Sequence, residues 1–422
     1  MEWSIYSHLY YSKKAQSYLL YSSLSNMLVE LNEDAYKDIC SYRTNPDSFQ
    51  AEDEDKYPFL LEGRFLVQSN QTETDKIILS ALRQRFNPHV LSLTIAPTRN
   101  CNFACPYCYE KDKINEVMSK ETQLALIGFV KRFKSLERLN VIWYGGEPTL
   151  EMNIIRELSK GLKECAKSYS SFMVTNGYNL NKVIEFIDEL NLGGLQITLD
   201  GTKETHNSTR YLTNGMGTFD RILENMDKVV ERGGVTISVR MNINRRNQKE
   251  YVPLYKLLKE RYGSAVFLYP AFVHNFEDFS DISCFQDNNQ KADFIKYLFD
   301  EHGIYTKDIY PHRINKGCMS QQLNSYVVGP QGELYKCWHD LGKKEQIVGN
   351  IFLDKEAVNP SLLADKMIRN DVLFDSECTS CALFPSCNGG CTDLKNLDRE
   401  KCIMAKEHLD DFLDIHYSRK IS

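Results

Sequence analysis

The sequence has 422 residues, a formal net charge of -6 and 42% hydrophobic residues. This length allows two or three domains with a large core, and the acidic balance excludes a broad basic surface for nucleic acid. No apolar run is long enough to cross a membrane, and the first residues, MEWSIYSHLYYSKK, lack the apolar core of a signal peptide. We therefore expect a cytoplasmic protein, whose 13 cysteines bind metal rather than form disulfides.

The first 88 residues predict a small α/β module. SIYSHLYYS and SYLLYSSLSNMLVELN are typical of two paired strands around the polar turn KKAQ. NEDAYKDICSY begins with a helix cap and continues helically, and DKYPFLLEGRFLV and TETDKIILSALRQRF also have helical patterns. The module contains no evident catalytic residue.

Strand-like and helix-like segments alternate from residue 89 to residue 274. The predicted strands are Val90–Thr98, Leu139–Pro148, Ser171–Gly177, Leu195–Gly201, Val235–Asn244 and Ala265–Val273. The predicted helices between them are Lys120–Phe133, Leu150–Tyr169, a helix from Asn181, Thr218–Gly234 and Lys249–Tyr262. Such alternation predicts a parallel sheet with right-handed crossovers, and six units are too few for a closed eight-fold barrel. We therefore predict an α/β fold with a partial, open-sided (β/α)6 TIM-like barrel.

Three cysteines follow the first predicted strand of this barrel. Cys101, Cys105 and Cys108 have the spacing C-x-x-x-C-x-x-C, and no fourth cysteine is close in sequence. A cubane iron–sulfur cluster and a structural zinc ion each take four ligands, so three thiols indicate a metal with an open coordination position. The alternative is a short loop whose thiols are buried and inert.

Polar and glycine-rich segments follow three more of the predicted strands. They are GGEP (Gly145–Pro148), TNG (Thr175–Gly177) and TLDG (Thr198–Gly201). In a parallel α/β barrel, chemistry is located at the carboxyl ends of the strands. Gly145 and Gly146 allow the backbone to approach a ligand closely, and Glu147 can accept a hydrogen bond from an ammonium group. Each segment alone would be a plain turn, but their convergence on three cysteines indicates a site.

A second group of cysteines lies in the C-terminal third. Its members are Cys318, Cys337, Cys378, Cys381, Cys387, Cys391 and Cys402. Seven cysteines so close in sequence indicate metal binding. A zinc-ribbon-like site is the alternative, but seven ligands exceed one zinc site and fall short of two four-thiolate sites. Cys40 and Cys165 lie in helical patterns and are expected in the core, and Cys284 is expected to be a surface thiol, with a metal ligand or a hydrogen-atom donor as alternatives.

With these motifs the chain resembles the radical S-adenosylmethionine (SAM) enzymes. The resemblance covers about Val90–Val273 and rests on CNFACPYC, GGEP, TNG, TLDG and HNSTR. It implies that Cys101, Cys105 and Cys108 hold a [4Fe-4S] cluster, whose fourth iron binds SAM. Reduction then cleaves SAM to methionine and a 5'-deoxyadenosyl radical that removes a hydrogen atom from an unactivated C–H bond. The implied SAM contacts are Tyr107 with the adenine, Gly145, Gly146 and Glu147 with the ammonium, Thr198 and Arg210 near the ribose and carboxylate, and Asn176.

The region from about His312 to Cys402 resembles the SPASM domain, a cysteine-rich auxiliary-cluster module of radical SAM enzymes. The resemblance implies two further [4Fe-4S] clusters, one on Cys378, Cys381, Cys387 and Cys402, and one on Cys318, Cys337 and Cys391. A further cysteine often completes the second cluster shortly before the position matched by Cys318, where this chain has His312. The fourth ligand of that cluster is therefore left open between His312, Cys284 and an open site for substrate.

Residues 1–88 resemble the PqqD-like, winged-helix peptide-recognition element of ribosomal peptide maturases, with two of its three strands evident. An exposed strand edge there would bind an extended leader peptide by β-augmentation, and a structural cap on the open barrel is the alternative. The predicted domains are 1–88 for this module, 89–274 for the partial barrel, 275–311 for a bridging insertion, 312–404 for the SPASM domain and 405–422 for a C-terminal helix.

Three functions are compatible with these resemblances. The first is maturation of a ribosomally synthesised precursor peptide by a thioether or carbon–carbon crosslink, with a flavodoxin- or ferredoxin-type electron donor and with neither nucleic acid nor a membrane as partner. The second is formylglycine formation by an anaerobic sulfatase-maturing enzyme. Those enzymes carry Asp directly after the position matched by Cys337, where this chain has Trp338, followed by His339 and Asp340. The third is a non-enzymatic iron–sulfur scaffold or electron carrier. The long N-terminal extension favours the first.

Overall fold

Two units make up the chain, and each is assembled from segments that are distant in sequence. The structure is a computed structural model, and it describes the chain except for residues 109, 111–114, 275–280, 282, 307–308, 315–316, 354–358, 370, 388, 392–401 and 422. The central unit comprises Asn87–Gln286 and Met319–Met367. The terminal unit comprises Met1–Phe86, Asp287–Cys318 and Ile368–Ser422.

One large sheet organises the described part of the central unit. Its strands are β6 (Val90–Ile95), β7 (Arg138–Trp143), β8 (Ser168–Thr175), β9 (Leu192–Thr198), β10 (Thr236–Ile243), β11 (Val266–Phe272), β12 (Ser325–Val328), β13 (Glu333–Tyr335) and β14 (Gly349–Asn350). Strands β6 to β11 lie side by side in sequence order and run parallel. Beyond β6 the sheet continues with β12, which is parallel to it, and then with β13 and β14, which pair antiparallel. The predicted six-stranded parallel core is thus confirmed.

Helices connect the parallel strands, with one exception to the prediction. The central unit contains α5 (Lys120–Lys131), α6 (Met152–Lys163), α7 (Lys203–Thr209), α8 (Phe219–Arg232), α9 (Tyr251–Tyr262) and α11 (Pro360–Ala364). The helix predicted from Asn181 is wrong, because two 3-10 turns, Leu180–Lys182 and Ile184–Phe186, connect β8 to β9. Leu180, Val183, Ile187 and Leu190 are almost completely buried. Their spacing of three or four residues also suits an α-helix, which is why the sequence predicts one, and short 3-10 turns are common as connectors.

The terminal unit contains a small antiparallel sheet and the helices around it. Its strands are β1 (Glu2–Trp3), β2 (Ser7–Ser12), β3 (Ser17–Ser22), β4 (Met27–Leu31) and β5 (Leu66–Val67). Its helices are α1 (Glu33–Thr44), α2 (Ala51–Lys56), α3 (Phe59–Glu62), α4 (Asn70–Arg85), α10 (Asn288–His302), α12 (Ser376–Thr379), α13 (Phe384–Cys387) and α14 (Leu409–Ile421). One face of the β2–β3–β4 sheet packs with Ile39 of α1 through Leu20 and Leu31. On the other face the hydroxyl of Tyr10 donates to Asp414 of α14 at 2.8 Å.

A third strand is present in this small sheet where the sequence predicts only two. The segment SYLLYSSLSNMLVELN divides into β3 and β4 at a turn in which Asn26 has a φ of 62°. Asparagine tolerates this left-handed conformation, and the hydroxyl of Tyr21 donates to its side-chain oxygen at 3.0 Å. The order β2-β3-β4 leaves β2 and β4 as the edge strands.

No helix among the described residues combines the length and the apolar composition that crossing a bilayer requires.

A buried ion pair in the terminal unit is expected to be important for its stability. Nη1 of Arg85 contacts Oδ2 of Asp371, and only 1% and 4% of the two side chains are exposed. Asp371→Asn leaves the buried guanidinium without a compensating charge, so we expect a loss of about 3–5 kcal/mol in the free energy of unfolding. Guanidinium unfolding followed by circular dichroism measures the change.

Asp300→Asn is the matched control for this variant. Asp300 pairs with Lys14 at 2.6 Å, but 41% and 40% of these side chains are exposed. Solvent screens such a pair, so we expect a change below about 1 kcal/mol. Equal losses in the two variants would contradict the assigned role of the buried pair.

Candidate active site

The cysteine loop, residues 98–108, follows β6 and is held by backbone hydrogen bonds from the segment after α7. The amide of Ala104 donates to the carbonyl of Tyr211 at 2.9 Å, and the amide of Thr213 donates to the carbonyl of Asn102 at 3.0 Å. Its three cysteines are half-buried. The loop thus lies at the carboxyl end of the parallel strands, where the motifs predict it.

Two glycines after β7 pack against the beginning of the cysteine loop. Gly145 has a φ of 110°, a conformation that favours glycine. A Cβ atom on Gly145 would collide with the carbonyl oxygen of Thr98, and one on Gly146 would collide with those of Arg99 and Asn100. The amide of Gly146 donates to the Thr98 carbonyl at 3.2 Å. The close approach that these glycines permit is therefore to the loop itself, and their contact with SAM stays a prediction.

The side chain of Glu147 is fully buried and accepts four hydrogen bonds. Its Oε1 accepts from the amide of Thr149 at 3.1 Å, from the hydroxyl of Thr149 at 2.5 Å and from the hydroxyl of Thr175 at 2.7 Å. Its Oε2 accepts from the amide of Asn176 at 2.7 Å. Burial raises the pKa of this carboxyl, and the hydrogen bonds oppose that shift. The carboxyl group therefore joins the segments that follow β7 and β8.

Two other predicted cofactor residues, Asn176 and Thr198, lie at the ends of β8 and β9. Nδ2 of Asn176 donates to Oδ1 of Asn102 at 2.8 Å and lies 4.0 Å from Sγ of Cys101. Thr198 is buried and is opposite Arg240 in the register of β9 and β10. Asn176 is thus in contact with the cysteine loop.

Tyr107 connects the cysteine loop to two buried charges. Its ring is partly exposed, but its hydroxyl donates to Oδ2 of Asp200 and accepts from Nη1 of Arg210 at 2.8 Å. Nδ2 of Asn242 lies 3.4 Å from the same hydroxyl. The guanidinium of Arg210 also lies over the ring of Phe103, 5.6 Å from its centroid. The predicted SAM residues Tyr107 and Arg210 are therefore in direct contact.

Burial and charge act in opposite directions on these groups. Burial raises the pKa of the Asp200 carboxyl, whereas Arg210 and the hydrogen bond from Tyr107 lower it. Burial also raises the pKa of the Tyr107 hydroxyl. The pKa of Arg210 is raised, because its interactions with Tyr107 and Asp200 outweigh the effect of burial. The guanidinium therefore stays charged in a buried position.

A buried histidine of α7 orders the hydrogen bonds behind this group. The amide of Asp200 donates to Nδ1 of His206 at 3.3 Å, which assigns the proton to Nε2. Nε2 lies 3.0 Å from Oγ1 of Thr218, and that hydroxyl donates to the carbonyl of Arg210 at 2.6 Å. His206 therefore links the backbones of the two charged residues, Asp200 and Arg210, in its neutral form.

Four of the C-terminal cysteines interact within the terminal unit: Cys378, Cys381, Cys387 and Cys402. The amide of Cys381 donates to the carbonyl of Cys378 at 3.0 Å. Burial raises the pKa of the Cys387 thiol, and Cys381 and Cys402 raise it further. Nζ of Lys406 lies 3.4 Å from Sγ of Cys402, and its interactions with Cys402, Cys381 and Cys378 raise its pKa. The four residues predicted to share one cluster are thus near one another.

The predicted ligands of the other auxiliary cluster are divided between the units. Cys337 belongs to the central unit, and Cys318 and Cys391 belong to the terminal unit. Among the described residues, no three His, Cys, Asp or Glu side chains are placed to hold a single metal ion. A cubane binds each thiolate to a different iron, so its ligands do not converge on one point. The ligand sets of all three clusters stay predictions.

The two candidates for the missing fourth ligand lie in different surroundings. Cys284 is only 7% exposed, so the prediction of a surface thiol is wrong. The adjacent Phe285 packs against Phe272 of β11, with ring centroids 4.9 Å apart, and this contact holds the residue after Cys284 against the sheet. His312 is exposed and lies near Tyr310, with ring centroids 5.8 Å apart. Cys40 and Cys165, expected in the core, are half-buried.

Two residues of these groups were missed in the sequence. Asp200 lies within TLDG, where only Thr198 was selected, although an acid at a strand end is a recognisable signal. Lys406 follows Cys402 in a segment without any motif, and only the fold brings its ammonium to several thiols.

Gly146→Ala is expected to displace the cysteine loop. The added Cβ would meet the backbone carbonyls of Arg99 and Asn100, which cannot move without moving the loop. We expect anaerobically reconstituted protein to retain less iron, measured per chain by a colorimetric assay. Gly128→Ala is the control, because a Cβ at this helical position meets no atom within 4 Å. Equal iron content in both variants would contradict the proposal that close packing at Gly146 holds the cysteine loop in place.

His206 is expected to make stability depend on pH. Burial lowers the pKa of His206 well below 6.5 in the folded chain. At a pH between 6.5 and this lowered pKa, the unfolded chain binds a proton that the folded chain does not. Stability should therefore fall as the pH drops below 6.5, by at most about 1.4 kcal/mol per pH unit. His206→Asn keeps an acceptor near the position of Nδ1 and should reduce this slope in urea unfolding between pH 7 and pH 5. His89→Asn, at an exposed position, should not, and an unchanged slope in His206→Asn would refute the assignment.

The comparison with protein families agrees with the cysteine loop and the strand-end motifs. A family model described as the radical SAM superfamily matches residues 95–258. A probable GTP 3',8-cyclase of Saccharolobus islandicus (strain L.S.2.15 / Lassen #1) is 29% identical over 176 residues, which cover 41% of this chain and 54% of the relative. The matched part thus spans about half the length of this cyclase. A cysteine-type anaerobic sulfatase-maturating enzyme of Clostridium novyi (strain NT) is 25% identical over 340 residues, 71% of this chain and 87% of the relative.

Solved structures extend the similarity beyond the matched segment. The structure of anSMEcpe with bound AdoMet and the Cp18Cys peptide has a TM-score of 0.61 at 20% identity, covering 79% of this chain and 98% of that chain. SuiB of Streptococcus suis bound to the precursor peptide SuiA has a TM-score of 0.50 at 14% identity, covering 95% and 98%. At these identities the likeness is one of fold. The family match identifies residues 95–258 as a radical SAM domain.

Proposed function

We propose that the chain is a peptide maturase that uses SAM to abstract a hydrogen atom from a residue of a ribosomally synthesised precursor peptide. The observation that carries the SAM part is the buried guanidinium of Arg210, whose Nε has no hydrogen-bond partner among the described residues. A guanidinium pairs with a carboxylate in a planar fork, and SAM carries a carboxylate. A buried donor without a partner costs free energy, so a ligand at this position would stabilise the site.

Residues of the cysteine loop and the strand ends would hold the cofactors. Cys101, Cys105 and Cys108 would bind three irons of a [4Fe-4S] cluster, and Arg210 would bind the SAM carboxylate. A reduced cluster with bound SAM supplies the radical chemistry. The residues assigned to the rest of SAM are Tyr107 at the adenine, Thr198 at the ribose, Asn176, and the segment Gly145, Gly146 and Glu147 at the ammonium. Because Glu147 already accepts four hydrogen bonds, we assign the ammonium contact to backbone carbonyl oxygens of this segment.

A peptide substrate is supported by the solved structures that are similar in fold. Both anSMEcpe and SuiB have been solved with a peptide, and SuiB covers 95% of this chain. We infer that the target is a precursor peptide and that the product is a thioether or a carbon–carbon crosslink. Each crosslink removes two hydrogen atoms from the peptide. One leaves by abstraction and the other as a proton and an electron, so the enzyme also needs an electron acceptor.

The small sheet of the terminal unit is proposed to bind the leader segment of the precursor. Its edge strand β4 (Met27–Leu31) has no further strand paired to it among the residues that the structure describes. An extended peptide can add to such an edge through backbone hydrogen bonds. Leu28 and Val29 are partly exposed there, which favours a leader with apolar side chains on both faces.

The C-terminal cysteines are proposed to hold two auxiliary [4Fe-4S] clusters. Cys378, Cys381, Cys387 and Cys402 would hold one, and this set is supported by the electrostatic effects that these thiols have on Cys387 and Lys406 and by the contact of Lys406 with Cys402. Cys318, Cys337 and Cys391 would hold the other, with His312, Cys284 or an open position as fourth ligand. A flavodoxin- or ferredoxin-type protein is the proposed electron donor.

Formylglycine formation is the second candidate, and the relative from Clostridium novyi favours it. Two contacts count against it. Trp338, which follows Cys337, packs against Tyr144 with ring centroids 4.7 Å apart. The next acid, Asp340, is buried beside Lys366 at 3.2 Å, so it faces that side chain rather than an exposed position where a substrate would need a base.

The decisive assay incubates reconstituted enzyme anaerobically with SAM, a reductant and the small peptide encoded beside it. Formation of 5'-deoxyadenosine and a loss of two hydrogens per crosslink in the peptide mass are expected. A precursor without its leader should react more slowly if residues 1–88 bind that segment. Conversion of a sulfatase peptide containing C-x-P-x-R, with the precursor unchanged, would support the second candidate. Absence of 5'-deoxyadenosine in every arm would support a non-enzymatic role.

Replacing Cys101, Cys105 and Cys108 together by Ala should abolish SAM cleavage. Each cubane holds four irons, so the iron content should fall from about twelve to about eight per chain, the latter belonging to the auxiliary clusters. Iron analysis and electron paramagnetic resonance measure this change. Replacing the half-buried Cys165 by Ala is the matched control and should leave the iron content unchanged. Continued formation of 5'-deoxyadenosine by the triple variant would refute the assignment.

A further inference from the structure

Asp200 is the acid to which both the tyrosine of the cysteine loop and the arginine of the predicted SAM site are connected. It is 1% exposed. Its Oδ2 accepts from the hydroxyl of Tyr107 and lies 4.0 Å from Nη1 of Arg210. Its Oδ1 accepts from the amide of Asn242 at 3.2 Å. Both carboxylate oxygens are therefore in contact with neighbouring groups.

The backbone of Asp200 is fixed as firmly as its side chain. Its amide donates to Nδ1 of His206 at 3.3 Å, and its carbonyl accepts from Nδ2 of Asn247 at 3.0 Å. Contacts from α7 and from the segment after β10 thus hold the residue directly beyond the end of β9. A rigid acid at this point can determine where the side chains of Tyr107 and Arg210 lie.

The nitrogens of the Arg210 guanidinium have two different roles, one in contacts within the protein and one toward a ligand. Nη1 donates a hydrogen bond to the hydroxyl of Tyr107 and lies near Asp200. Nε is buried without a hydrogen-bond partner among the described residues. The negative charge of Asp200 offsets the cost of burying the guanidinium. The Nε donor is then available to a ligand without loss of that compensation.

We propose that Asp200 is a positioning residue for SAM, which orients the Tyr107 ring and the Arg210 guanidinium before the cofactor binds. This inference rests on the proposed function. Asp200 would not contact SAM itself but would act through Tyr107 and Arg210. A purely structural ion pair is the competing explanation, and it predicts an effect on folding or cluster assembly instead of on SAM affinity.

Asp200→Asn tests the proposal because it keeps the size of the side chain and an acceptor oxygen but removes the charge. Iron content and SAM affinity are measured on anaerobically reconstituted protein, by iron analysis and by equilibrium dialysis with labelled SAM. Electron paramagnetic resonance of the reduced cluster, with and without SAM, gives a second readout that is independent of turnover. We expect unchanged iron content and about tenfold weaker SAM binding, because a neutral amide holds the Tyr107 hydroxyl and the Arg210 guanidinium less firmly than a carboxylate does.

Asp227→Asn is the matched control. Asp227 of α8 also contacts an arginine and a tyrosine, Arg261 at 2.8 Å and Tyr262 at 3.0 Å, but on the connecting helices rather than at the strand ends. It should leave SAM affinity unchanged. Tyr107→Phe, alone and combined with Asp200→Asn, completes a double-variant cycle. Because Asp200 acts partly through Tyr107, the double variant should lose less than the product of the two single effects.

The outcomes separate this inference from the proposed function. Wild-type protein that shows no SAM binding and no spectral response to SAM would refute both. Wild-type binding with equally tight binding in Asp200→Asn would refute only the role of Asp200, as would independent effects in the cycle. Loss of iron or of the native circular dichroism spectrum in Asp200→Asn would overturn it in favour of the structural pair.

Discussion

The cysteine loop keeps its position because backbone groups on two sides hold it, and the candidate site depends on this constraint. The segment after α7 pairs with residues 102 and 104, and the glycine pair after β7 packs against the carbonyls of residues 98–100. Backbone contacts of this kind need no particular side chains in the loop. The position of the loop therefore rests largely on backbone groups rather than on its three thiols.

Burial of charge is the second physical feature of the site. Glu147 and Asp200 are buried just after parallel strands, and Arg210 is buried at the end of α7. An unpaired charge at any of these positions would be strongly destabilising. Glu147 is satisfied entirely by hydrogen bonds from Thr149, Thr175 and Asn176. Arg210 is satisfied only in part. The first arrangement is typical of a structural acid and the second of a group that awaits a ligand.

Similarity of fold leaves the choice between related reactions to individual contacts. The chain is similar both to a sulfatase-maturating enzyme and to the fold of a protein solved with a precursor peptide. Neither Trp338 nor Asp340 offers an exposed base after Cys337, because Trp338 packs on Tyr144 and Asp340 faces Lys366. Function in such a family is determined by the site rather than by the fold. For this reason the peptide-crosslinking proposal depends on a few side chains around the sheet.

Short-range patterns in the sequence determined the strand order and the place of the site. Alternating strands and helices require a parallel sheet, and motifs at the ends of such strands must share one edge. The same patterns failed where packing decides. The segment after Asn179 forms 3-10 turns although its apolar spacing is helical, Asn26 divides an apparent single strand into two, and Phe285 packs on the sheet beside the buried Cys284. The contacts of Asp200 with Tyr107 and Arg210 also could not be predicted from the sequence, because they join residues far apart in the chain.

The sequence by itself determined which chemical groups are present and at which edge of the sheet they lie. Only the tertiary structure decided which of them are satisfied by one another and which donor remains for a ligand, because hydrogen-bond satisfaction depends on distances that no local pattern encodes.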